Sequence, residues 1–310
     1  MYYFSNNYIQ LKMKMKTMLY AVLLFLSMAA QAQNQEAADS VARDSVVRVI
    51  GWFCKTDTLE YTYSMVVAEV VGTDTTVVEA GGNDFSICVT DSTKKGYTME
   101  LVNTDVWQRD STSVKGRMTL EAARMALGTK VLFSTDEMGG FQEIINWKDL
   151  YKNALNYQDK LVNRIFYEHP ELYARQNIDE LKKQIKQNTE ELMGSQEKIT
   201  DLFHQLKLLF AFNGKVLPVG ESTVENAGTK FHYIARNGAL EGEDDSTENE
   251  YQLYAEMTEK EADGTTTNYF YDYAYFDDGW PRSVMATVVE EKADKKVITQ
   301  MKINWLTKAW

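Results

Sequence analysis

Residues 58–71 read TLEYTYSMVVAEVV, and their alternation decides how the rest of the chain is read. Leu59, Tyr61, Tyr63, Met65 and Val67 share one parity, while Glu60, Thr62 and Ser64 take the other. A period of two predicts a strand buried on one side. Gly72-Thr73-Asp74 turns the chain, and residues 75–91 return as a second strand. Gly81-Gly82 at its middle predicts a bulge or a sharp bend. Residues 97–109 predict a third strand. Long strands with a glycine break are what a strongly curved sheet requires.

Working outward, residues 119–127 predict a short helix ended by Gly128, followed by a hairpin around Met138-Gly139-Gly140. The period then changes. From Trp147 the apolar positions are Leu150, Tyr151, Ala154, Leu155, Leu161, Val162, Ile165 and Phe166, a spacing that marks one helix face. Asn146 is its expected N-cap, with Asp149 in the first turn. A second helix begins with Asn177 and Glu180 in a capping-box pattern, and its polar outer face over 178–192 predicts exposure. Ser195 caps a third, apolar helix that Asn213-Gly214 stops. The C-terminal part predicts a meander of strands near 224–236, 250–259, 267–277, 280–291 and 296–306. Asp263-Gly264, Asp278-Gly279 and Ala293-Asp294-Lys295 have the chemistry of its turns.

Strands on both sides of a helical insert predict an α+β fold: a curved antiparallel β-sheet, a half-barrel, packed on a central helical segment. Two small sheets flanking a helical hairpin are the alternative. The expected organisation is a signal peptide over 1–32 and one α+β domain over 33–310. Within that domain β structure fills 46–146, helices 147–213 and the meander 215–306.

The signal expectation rests on Lys12, Lys14 and Lys16, the apolar run MLYAVLLFLSMAA over 18–30, and Ala30-Gln31-Ala32 before Gln33. That run is short for a span, which takes about 20 residues. An exported protein is therefore expected, periplasmic or secreted, without a transmembrane segment after cleavage; residues 33–45 read as a loose arm. The chain carries 45 Asp and Glu against 33 Lys and Arg, a formal charge of −12. Such acidity disfavours nucleic acid and anionic surfaces as partners. The two cysteines, Cys54 and Cys88, leave both one disulfide and two free thiols open.

Few motifs carry chemistry. His169, His204 and His232 are the only histidines, and none belongs to a His-Glu-x-x-His pattern, so no metal site is expected. Asp201 lies one turn before His204 and could orient its imidazole. Gly220-Glu221-Ser222 lacks the second glycine of a nucleophile elbow. No phosphate loop or dinucleotide fingerprint is present, and no cofactor is expected. The acidic run from Glu241 to Glu250 lacks the ligand alternation of a calcium loop. Tyr269, Tyr271, Tyr273 and Tyr275 stand out, because a strand turns all four to one face. With apolar bodies and polar tips they are candidate ligand contacts, or else cross-strand packing partners.

The ending Ala-Gln-Ala-Gln and the order of signal, curved sheet, helices and meander resemble uncharacterised exported proteins of Bacteroidetes-type bacteria. The architecture is also similar to the half-barrels of periplasmic lipoprotein carriers. That resemblance implies a bent sheet holding a helical lid over an apolar cavity, and it brings no functional residue with it. The expected function is a non-enzymatic binding or carrier protein for an apolar or amphipathic small molecule, held between the sheet and helices such as 147–166 and 199–210. The alternative is an envelope interaction or structural protein with a packed core, presenting its acidic surface or the 178–192 helix to another envelope protein. A hydrolase would need two carboxylates, or His204 with a nucleophile, meeting in a cleft.

Overall fold

A computed structural model describes residues 46–110, 120–168 apart from 122 and 125, 177–226, 229–237, 250–260, 264–293 and 295–306. The signal segment, the 33–45 arm, His169 and most of the 241–250 acidic run lie outside these residues. Thirteen strands, β1 (Val46–Arg48) to β13 (Lys295–Trp305), surround a helical segment. Eleven of them form one antiparallel sheet in the order β6 (Phe141–Ile144), β5 (Lys130–Thr135), β4 (Gly96–Gln108), β3 (Asp74–Thr93), β2 (Thr58–Val71), β13, β12 (Pro281–Lys292), β11 (Thr266–Phe276), β10 (Glu250–Lys260), β9 (Thr229–Asn237) and β8 (Gly220–Asn226). It is not closed. β1 pairs separately with β7 (Val216–Pro218). The fold is α+β, and the two-sheet alternative is overturned by one contact: β13 pairs with β2 (Thr58–Val71) along eleven residues.

That pairing fuses two meanders. β2 to β6 (Phe141–Ile144) run outward on one side, and β13 back to β8 (Gly220–Asn226) on the other. The helical segment therefore links opposite edges of a sheet about 48 Å wide if laid flat, at the usual strand spacing. It comprises α1 (Trp147–Glu168), α2 (Ile178–Met193), α3 (Gln196–Leu202) and α4 (His204–Leu209).

Only part of this segment reaches the sheet core. Ile199, Leu206, Leu208, Leu209, Phe210, Ala211 and Phe212 are buried in it. α1 joins through Leu150, with Trp147 and Tyr151 half-buried beside it, while Val162 and Phe166 are buried apart from it. α2 is largely exposed, as its polar face predicts.

Several local expectations change. Asn146 does not cap α1 with its side chain. Its Oδ1 accepts from Leu132 N–H at 2.9 Å and its Nδ2 donates to the Lys130 carbonyl at 2.9 Å, so it supplies β5 (Lys130–Thr135) with the pairing a strand would give. The expected third helix is two, broken at Phe203. The expected strand 224–236 is a hairpin, β8 and β9 (Thr229–Asn237). Asn177 and Ser195 do cap α2 and α3.

No bulge falls at Gly81-Gly82 of β3 (Asp74–Thr93). Gly81 and Gly82 stay in register, and the extra residues fall elsewhere: Val78 opposite β2, Thr90 opposite β4 (Gly96–Gln108), and Thr104 of β4 opposite β3. The glycine at 82 serves close approach instead. A Cβ there would lie 2.1 Å from the Tyr63 carbonyl oxygen and 2.7 Å from the Trp107 indole nitrogen. Gly82→Ala should therefore cost about 1–3 kcal/mol, the usual range for forced overpacking. Urea denaturation with an unchanged slope checks it; full stability in the variant would refute the close approach at Gly82.

Candidate functional site

The inner face of the sheet is laid out in rows across β10 (Glu250–Lys260), β11 (Thr266–Phe276), β12 (Pro281–Lys292), β13 and β2. Pairing registers align Leu253, Tyr273, Val284, Ile303 and Tyr63 in one row, and Ala255, Tyr271, Ala286, Met301 and Met65 in the next. Met257, Tyr269, Val288, Thr299 and Val67 follow, and then Glu259, Thr267, Glu290, Val297 and Glu69. The face thus passes from aromatic, through apolar, to a polar rim.

Beyond the Tyr275 end the face is plugged by aromatics. Phe53 packs 4.4 Å from Trp280 and 5.0 Å from Tyr97, centroid to centroid, and Phe210 meets both Phe53 and Trp280 at 6.2 Å. Backbone bonds tie the loops around them: Gly51 N–H to the Met138 carbonyl, Trp52 N–H to that of Asp278, and Gly214 N–H to that of Val49. Gly279, at φ +80, leaves no room for a side chain, since a Cβ would sit 2.3 Å from the Ile50 carbonyl oxygen.

All four ladder tyrosines are buried on this face, and they are used unequally. Tyr275 is structural: its hydroxyl donates to the Leu209 carbonyl at 3.3 Å and accepts from Phe212 N–H at 3.4 Å. Tyr273 is sandwiched, with Phe212 edge-on at 4.7 Å and its ring stacked on Tyr275 at 6.1 Å. Tyr271 stacks on Tyr273 at 6.2 Å, but its buried hydroxyl has no hydrogen-bond partner among the described residues. Tyr269 donates to Glu259 Oε2 at 3.0 Å. Burial holds the Tyr271, Tyr273 and Tyr275 phenols above their ordinary range, so each is a neutral hydroxyl at any physiological pH.

Thr267 completes the ladder. It is fully buried, and its Oγ1 has no partner among the described residues either. Sequence reading missed it, although its parity matches the tyrosines. Glu259 and Glu290 were missed too, because their alignment with Thr267 depends on register.

The other candidates come out as follows. Cys54 and Cys88 are free thiols, so the disulfide does not form in this structure. Cys88 takes the outward parity of β3, between the inward Ile87 and Val89, while Cys54 lies exposed on the loop before β2. Asp201 Oδ1 accepts from Lys207 Nζ at 2.7 Å, and His204 Nε2 lies 3.3 Å from the Tyr63 hydroxyl. His232 Nδ1 lies 3.1 Å from Thr223 Oγ1 on the β8–β9 hairpin. Among the described residues no three His, Cys, Asp or Glu side chains gather to hold a metal, and no helix is long and apolar enough to cross a membrane. A groove of about 330 Å³ between α1 and α2 is lined by Leu155, Asp159, Val162, Lys182, Ile185 and Lys186.

No protein-family model matches this chain, and no curated protein matches it. The resemblance to Bacteroidetes-type exported proteins therefore has no family match behind it. Among solved structures, one titled for lipid-protein interactions in lipovitellin is similar at a TM-score of 0.42 and 10% identity. The match covers 82% of this chain, which spans only 25% of that one. A likeness of that degree assigns neither fold nor function.

Two predictions separate structural from available groups. Tyr275→Phe should cost about 1–3 kcal/mol, because it strands the Phe212 N–H and the Leu209 carbonyl. Tyr271→Phe should be neutral or stabilising by about 1 kcal/mol, because it removes an unpaired buried hydroxyl. Paired denaturation curves test the contrast, and equal losses would refute it. On the opposite, exposed face of β11, partial desolvation by its neighbours pushes the Asp272 carboxyl above its ordinary value of 3.8. The ionised form is then penalised in the folded state, so that stability is lost as pH rises through the folded value. Asp272→Asn should stabilise the protein at neutral pH and change little below 3.8; melting temperatures across that window decide it.

Proposed function

We propose that this chain is an exported, non-enzymatic binding or carrier protein for an apolar or amphipathic ligand, working in the periplasm or outside the cell. The ligand lies along the inner face of the sheet, on Tyr269 and Tyr271. One observation carries the reading: a buried, unpartnered Tyr271 hydroxyl between Ala255 and Ala286, with Met301 one strand beyond. An unpaired buried hydroxyl costs about 1–3 kcal/mol. A bound molecule with one polar group offsets that cost, while the surrounding alanine and methionine side chains present apolar surface to its chain.

The packed-core alternative draws on Tyr273 and Tyr275, whose rings and hydroxyls are taken up by Phe212 and Leu209. That end of the face belongs to the scaffold under either reading. The two readings differ only over the rows of Tyr271 and Tyr269.

The full chain, expressed in a Gram-negative host and purified without detergent, should have an intact mass beginning at Gln33. Its native mass spectrum should carry an added apolar molecule that is lost on denaturation. A clean apo mass, with no binding of a hydrophobic fluorescent probe, would instead leave an envelope interaction protein with a filled core.

A further inference from the structure

We infer that the ligand's polar end is a hydrogen-bond donor, an amine or hydroxyl head, held at the rim by Glu259, Thr267 and Glu290, and that carboxylate heads are rejected. The inference rests on the binding reading above. Register sets Thr267 directly between Glu259 on β10 and Glu290 on β12, all three on the inner parity. Thr267 is fully buried, and its unpartnered Oγ1 shares that face with the two carboxylates. Tyr269 already donates to Glu259 Oε2 at 3.0 Å, which fixes this carboxylate as an acceptor at this end of the face.

Ionised carboxylates only accept, and a threonine hydroxyl accepts as well as donates. The rim therefore satisfies a head that donates, and it repels one that carries negative charge. Two lysines near this end are engaged elsewhere: Lys295 Nζ bonds Glu69 Oε1 at 2.9 Å on the far side of β13, and Lys296 Nζ lies 2.8 Å from Glu291 Oε1. From Thr267 to Tyr271 the strand rises about 13 Å. That length suits an extended alkyl chain lying along the ladder with its head at Thr267.

The test is titration of the purified full-length protein with laurylamine, lauryl alcohol and laurate, which share one chain and differ in the head. Laurate should bind about tenfold more weakly than laurylamine, because like charges are brought together at the rim. A Glu259→Gln, Glu290→Gln variant should abolish most of the roughly tenfold difference between laurylamine and laurate. Thr267→Val removes only a hydroxyl without a partner, so it should fold normally and weaken lauryl alcohol. Laurate binding as tightly as laurylamine would overturn the head-group inference and leave the binding reading standing. Failure of all three to bind would overturn both.

Discussion

The pairing of β13 with β2 is the constraint on which the remaining structure depends. It sets Met301 against Met65 and Ile303 against Tyr63, and so joins two meanders that would otherwise expose their first and last strands. Ladder hydrogen bonds left unmade at such edges would be open to pairing with other chains. Once the pair forms, inner-face residues align in rows from β10 to β2. The helical segment is then obliged to connect one edge of the sheet with the other. Its apolar part, Ile199, Leu206 and the residues from Leu208 to Phe212, meets the sheet because the connection has to traverse it.

The inner face is asymmetric along the strands, and the asymmetry is physical. Near Trp280 three loops converge on Phe53, and glycines at 51, 139 and 279 allow backbone and rings to approach more closely than a Cβ would permit. Ring contacts among Phe53, Tyr97, Phe210 and Trp280 fill that end. Moving along β11, polar satisfaction falls away: Tyr275 makes two hydrogen bonds with the helical turn, Tyr271 makes none among the described residues, and Thr267 makes none. Protein interiors rarely leave hydroxyls unpaired. Two lie on one face of one strand, on either side of Tyr269, whose own hydroxyl donates to Glu259.

Much of the fold was legible because hydrophobic period survives in the sequence. The alternation of Leu59, Tyr61 and Tyr63 foretold β2, and the change of period at Trp147 foretold α1. What misled was chemistry with two uses. Asn146 has the residue type of an N-cap, yet its amide pairs with β5, where open strand groups compete for it. Gly81-Gly82 reads as a bulge or a sharp bend; no bulge falls there, and Gly82 instead gives room to Trp107 and the Tyr63 carbonyl. Phe203 sits within a continuous apolar helical pattern, and the helix nevertheless breaks there.

The candidate site divides in the same way. By itself the sequence determined that four tyrosines share one face of one strand, because side-chain direction on a strand is local and alternates without reference to any partner. It also determined the α+β class and the exposed character of α2, both of which follow from periodicity. Only the tertiary structure decided which tyrosines are spent on packing, and that Thr267 lies between Glu259 and Glu290. Those facts depend on register and on where the helical turn lands. Register is set by long-range pairing between strands far apart in the chain, so no stretch of sequence contains it.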